Sequence, residues 1–466
     1  VKKCALLLLV LALGCATTPT ASPPPALGVS VSGGTQLDLL GRAAPAEVDA
    51  FATRFDELRA AGRDRCCVAL VQDAPDLGFE VLERTLRSRD AALAESVARS
   101  LGGARLLDAT ALLAARAKAP ERHRAAWDGL ASARSAICGG TTGLASQAAK
   151  AARDEAARDR TTLADLGDTL GVARADLLVL LAGGDGDSIR PALVRGADDA
   201  RVLLELAARA HRRADGATAT EELGAALRFA SDSRDLTLAT EVEAARSALA
   251  LALPPEPLAA WLRHVAGLAL DRKRPLVALR SALDAERIAE PGNALSRALV
   301  ARAQLAGGEA TVALEAALAL AKEAHERGDL ASEATAVGIA GEALLALERP
   351  GDAAGSFERA ATLSRQAGDS DAWARRTLNL ARTQLRRGEI EDARALLDTL
   401  ERAAPGSGRL FARIALVRAC ELCGRDEFAA SRAAIDRALA AATAAGDYET
   451  AEQALTLRHR LGSLGS

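Results

Sequence analysis

The chain has 466 residues, long enough for two or three domains or one extended repeat array. A net charge of −3 leaves no global field to attract nucleic acid, and the sequence offers no motif for it. With aromatics at 2%, the core must close through Ala and Leu, which suits close helix-to-helix packing and an all-α chain.

The first stretch, VKKCALLLLVLALGC (residues 1–15), sets Lys2 and Lys3 before an apolar run from Ala5 to Leu13. That run is shorter than the ~20 residues a spanning helix needs, so it reads as a secretory signal. The chain opens on Val1 and contains no Met, which fits translation from a non-ATG start codon. Gly14 before Cys15, with Ala12 and Leu13 ahead, resembles a bacterial lipobox, although the family more often places Leu where Ala12 stands. The resemblance implies a lipidated Cys15 and, because Ala16 is not Asp, an outer-membrane lipoprotein facing the periplasm or the cell surface.

Residues 16–35 are rich in Pro, Ser, Thr and Gly and are expected to form a disordered tether. Residues 36–250 read as a helical domain without constant spacing. The segments ending at Gly103 and Ala210 resemble HEAT-type repeats, with Ala94, Val97, Ala98 and Leu101 facing inward in the first. Pro254, Pro255 and Pro257 mark a boundary, and residues 251–466 form a second domain. Trp261 to Pro291 reads as a helical pair leading into regular repeats.

Those repeats are the strongest signal in the chain. Small residues recur at Ala301, Gly341, Ala381 and Ala419, and again at Ala313, Ala353, Ala393 and Ser431. Gly328, Gly368, Gly408 and Gly446 keep the same steps of 40, 40 and 38 residues. Within one unit, Val337, Ala340, Gly341 and Leu344 share a helical face, and Ala353, Phe357, Ala360 and Leu363 share another. Pro350 suits a first helical turn and Gly368 a left-handed helix end. Each unit is therefore a helix pair, and such pairs must stack to bury their apolar faces.

Gly341, Leu344, Ala353, Phe357 and Ala360 together resemble the tetratricopeptide repeat. Leu380, Ala381, Gly388, Ala393, Leu397 and Pro405 match in the next unit, and Ala419, Leu422, Phe428, Ser431, Ile435 and Ala438 in the last. The period of 40 exceeds the family's usual length, implying longer helices or longer connections. The fold class expected is an α-solenoid of stacked antiparallel helix pairs. The resemblance also implies a concave groove for protein or peptide ligands, lined by five positions of each first helix. Those positions hold Arg302, Glu342, Arg375, Arg382, Arg386 and Arg413, with Leu305, Leu345, Leu378, Leu385 and Leu416 between them. An acidic or C-terminal segment would suit such guanidinium forks. The family's carboxylate clamp is not matched, because Asn379 fits but Gly338 and Val417 do not.

Other candidates for chemistry are weak. Ala175 to Val194 could be a strand feeding a phosphate-binding turn, but it lacks the Lys-Ser/Thr of such loops, and a buried helix ending at Gly183 explains it better. Asp185 and Asp187 begin no calcium loop. His123, His211, His264, His325 and His459 have no metal-ligand spacing and read as partly exposed helix residues. Cys66, Cys67, Cys138, Cys420 and Cys423 are an odd set, and the Cys420–Cys423 pair, inside a predicted helix, reads as small apolar filler. The expected function is a lipid-anchored interaction scaffold or assembly factor, without cofactor, metal or catalysis. A soluble regulatory or sensing protein, or an enzyme with its site in 36–250, is the alternative.

Overall fold

The computed structural model describes residues 45–464, apart from 88–91, 94–95, 98–99, 101–119, 140–146, 168, 183–196, 250–253, 290–292 and 404–407. Among the described residues every regular element is helical, and no helix is long and apolar enough to cross a membrane. The lipobox residues, the tether, Asp185 and Asp187 lie outside them, as do Ala94, Ala98 and Leu101.

Two compact units divide the chain, one comprising Gly33–Gly62 and Cys67–Ala252, the other centred on Leu253–Ser466. The first carries α1 (Pro45–Ala60), most of α2 (Asp64–Asp73), α3 (Pro75–Arg87), α4 (Pro120–Gly139), α5 (Gln147–Asp165), α6 (Thr169–Leu181), α7 (Ala197–Arg212), α8 (Gly216–Ser233) and α9 (Leu236–Ala248). Phe55, Leu58, Leu82, Leu163, Leu180, Leu223 and Leu238 are its largest fully buried side chains. Ala175, Leu178 and Leu180 are buried on α6, so the apolar run is a helix and not a strand. Val97 is buried as expected. His123 on α4 is buried, against the expectation of partial exposure, because it lies on the face that also buries Ala126, Trp127 and Leu130.

Gly129 on α4 allows α5 to approach so closely that a Cβ there would fall on Asp159 Oδ2 and lie 2.9 Å from its Cγ. That oxygen is buried with no hydrogen-bond partner. Burial and the neighbouring Glu155 push the Asp159 carboxyl up to about 6, against weaker help from Arg158.

The second unit is regular. Its helices are α10 (Pro255–Asp271), α11 (Pro275–Ile288), α12 (Ala294–Ala306), α13 (Ala310–Glu326), α14 (Leu330–Ala346), α15 (Pro350–Gln366), α16 (Ser370–Arg387), α17 (Ile390–Ala403), α18 (Arg409–Gly424), α19 (Phe428–Ala445) and α20 (Tyr448–Leu464). Each packs on its neighbours in sequence, and α12 also touches α14, as α16 touches α18. Helices α14 and α15 each run 17 residues with short turns after them, so the long period comes from helix length and not from loops.

Local chemistry explains where these helices begin and end. Asp329, Asp369 and Asn293 cap α14, α16 and α12 by accepting the backbone N–H three residues on. Pro350 opens α15 at its first turn. Gly388 and Gly446 close α16 and α19 in the left-handed conformation. Gly408 departs from the pattern: it opens α18 instead of closing α17, at φ 97° and ψ 176°, a conformation open to glycine because it lacks a Cβ.

The core of the pairs closes where the small residues recur. Ala301, Ala381, Ala419, Ala313, Ala353 and Ala393 are fully buried. A Cβ on Gly341 would lie 2.9 Å from the ring of Phe357, itself fully buried, so glycine permits the close crossing of α14 and α15. In the last pair the Ser431 hydroxyl donates 2.8 Å to the Ala419 carbonyl, joining α19 to α18.

Candidate functional site

The first helices of successive pairs, α12, α14, α16 and α18, carry the positions singled out by sequence. Arg302, Glu342 and Arg382 repeat at 40-residue spacing, one on each of the first three. Arg302, Arg375, Arg386 and Arg413 are exposed and Arg382 is half-buried. Arg302 and Arg375 make no ion pair or side-chain hydrogen bond among the described residues.

Two expectations need correction. Leu378 and Leu385 are 5% and 3% exposed, so they belong to the helix-packing core and offer no open apolar pocket. Leu416 is buried as well. The reason is that α16 is packed by α15, α17 and α18, which cover its apolar stripe. Arg413 also differs. Its Nε donates 3.2 Å to Asp447 Oδ2, and Asp447 accepts from the N–H and hydroxyl of Thr450 at the start of α20. Its charge is answered within the fold.

A residue not singled out by sequence lies next to Arg375 on α16. Arg376 on α16 is 11% exposed, and its Nη1 stands 3.7 Å from Glu342 Oε1 on α14. Its Nε is buried without a partner. The guanidinium rests against Gly338, where a Cβ would come within 2.6 Å of Nε and 2.8 Å of Nη1. Burial pulls Arg376 below the ordinary guanidinium range; Glu342 and Asp369 oppose this, while Arg302 and Arg375 add to it. Gly338, noted in the sequence for failing to match a clamp, was the one available signal.

The remaining buried charges are answered by partners. Glu333 on α14 accepts from Arg359 at 2.5 Å and faces His325 at 3.1 Å. Burial would raise its carboxyl, but these two partners hold it below the ordinary range. Arg418 on α18 is bidentate to Glu401 and bonds Glu421 at 3.2 Å and Asp398, tying α17 to α18. Burial would lower its pKa, yet those three carboxylates raise it.

Cys420 and Cys423 are buried and form no disulfide. The Cys420 thiol contacts the Leu416 carbonyl at 3.2 Å, and burial pushes it up to about 12. They fill helix-packing space, as expected. No cluster of three metal-ligating side chains occurs among the described residues.

Comparison with known proteins places these helix pairs. No curated protein matches the chain. Among solved structures, the apo form of RapI is 12% identical, with 57% of this chain and 99% of that one covered at a TM-score of 0.35. A Rap protein complexed with competence and sporulation factor is also 12% identical, with 73% and 99% covered at the same score of 0.35. Likeness of this degree carries no argument about function. The family match is more specific, running from residue 344 to 416 through the end of α14, the whole of α15, α16 and α17, and half of α18. Residues 344–416 match the tetratricopeptide repeat, which places that repeat in the helices from the end of α14 to the middle of α18.

Proposed function

We propose that the chain is an interaction scaffold whose repeats hold an extended, anionic protein segment against the first helices. The observation that carries this reading is the exposure of Arg302, Arg375 and Arg386 along α12 and α16, with Arg382 half-open between them. Tetratricopeptide repeats commonly serve protein partners, and guanidinium forks suit carboxylates. Lipid on Cys15, followed by the tether of residues 16–35, would hold the scaffold at a bacterial outer membrane. Cys15→Ser is then expected to abolish fatty-acid labelling and release the protein from carbonate-washed membranes; an unchanged distribution overturns the anchor.

The groove is tested with a fluorescent hexaglutamate peptide. Reversing Arg375, Arg382 and Arg386 to Glu together is expected to weaken binding more than tenfold and leave the thermal midpoint nearly unchanged. Binding by the parent should fall steeply with salt. Binding that survives the triple change and ignores salt overturns the reading.

A further inference from the structure

The charges around Arg376 do not balance. Arg302, Arg375 and Arg376 share one neighbourhood with two acids, Glu342 and Asp369. Asp369 is committed to capping α16, where it accepts from the Ala372 N–H at 2.8 Å. Glu342 stands 3.7 Å from Arg376, beyond hydrogen-bond reach. Three guanidiniums are thus set against two carboxylates, neither of which hydrogen-bonds Arg376, and the Arg376 Nε has no acceptor.

A buried guanidinium left in this state costs free energy unless something completes it. Its position is permitted by Gly338, because any side chain there would occupy the space of Nε and Nη1. Gly338 therefore leaves room for Arg376 to sit buried here before any ligand arrives, and burial limits its freedom, which reduces the ordering cost of binding. Arg302 and Arg375 remain exposed beside it and are free to move onto an incoming anion.

Building on the proposed groove, we infer that Arg302, Arg375 and Arg376, opened by Gly338, form an oxyanion subsite for one acidic side chain of the bound segment. A carboxylate suits this set because its two oxygens can accept from two guanidiniums at once. Glu342 holds Arg376 in place until the ligand carboxylate joins it. None of the three arginines is spent on another ion pair that an incoming acid would have to break, apart from the long contact to Glu342.

The test uses the full chain and the hexaglutamate probe. Arg376→Gln is expected to weaken binding about tenfold, and Gly338→Ala to weaken it severalfold with no change in net charge. Arg302→Gln, an exposed change that spares the fold, is expected to match Arg376→Gln and carries the test should the buried variant fail to fold. Arg365→Gln, exposed on α15, should bind as the parent. The subsite is overturned, and the groove retained, when the triple reversal of Arg375, Arg382 and Arg386 abolishes binding while Arg302→Gln, Arg376→Gln and Gly338→Ala bind normally. A parent chain that fails to bind hexaglutamate overturns both.

Discussion

Replacing Arg418 by Met tests how the last repeats are held together. Arg418 donates to Glu401 twice at 3.0 Å, to Glu421 at 3.2 Å and to Asp398. The side chains of Asp398 and Glu401 are 53% and 36% exposed, so solvent screens those pairs and their loss costs ~0–1 kcal/mol. Glu421 is different, with its side chain 1% exposed. Without Arg418 it keeps Arg425 alone, at 3.4 Å. Removing one partner of a buried ion pair costs ~3–5 kcal/mol, and the surviving Arg425 contact puts Arg418→Met at the low end, ~3 kcal/mol.

With a urea slope of ~1–3 kcal/mol per molar, this lowers the midpoint by about 1 M or more. Because stacked pairs can unfold locally, the loss should appear first as faster hydrogen exchange in α17 and α18. The double variant Arg418→Met, Glu421→Leu removes both buried charges and should recover to within ~1 kcal/mol of the parent. A double variant no more stable than Arg418→Met would refute the assignment of the cost to a stranded Glu421.

Ala353→Leu and Ala393→Leu place extra carbons at fully buried contacts and should each cost ~1–3 kcal/mol in denaturant titrations, whereas exposed Arg365→Leu should be nearly neutral. Equal midpoints for all three would show the helix faces to be misassigned. Asp159 gives the first unit a pH dependence: its folded carboxyl holds a proton up to about 6 against an ordinary 3.8. Folding therefore takes up a proton between those values, and stability falls as pH rises across that window and then levels. Asp159→Asn should remove that slope, and a slope retained in the variant would refute it.

The repeat was legible because its causes are local. Helix periodicity, a capping Asp, a Pro at a first turn and a left-handed Gly each act within a few residues, so α14 to α16 could be placed from Leu330 to Arg387 by their own chemistry. The close crossing at Gly341 was legible for a related reason, since a two-helix turn restricts which residues meet. Gly408 keeps the repeat's step yet opens a helix, because glycine marks an unusual backbone angle without saying on which side of it a helix lies.

Arg302, Arg375 and Arg382 could be placed on first helices by period alone, but what their neighbours do with charge could not. Arg376 finds Gly338 and Glu342 across two turns and a whole helix, Arg418 reaches back to Asp398 and Glu401, and Arg413 reaches forward to Asp447. Helix-pair architecture was thus determined by the sequence, through short-range backbone and capping forces. Tertiary structure decided which arginines are neutralised, which leucines are buried and where cationic charge is left over. Those outcomes depend on the angle and offset with which one helix pair stacks on the next, and long flexible side chains turn small offsets into different partners.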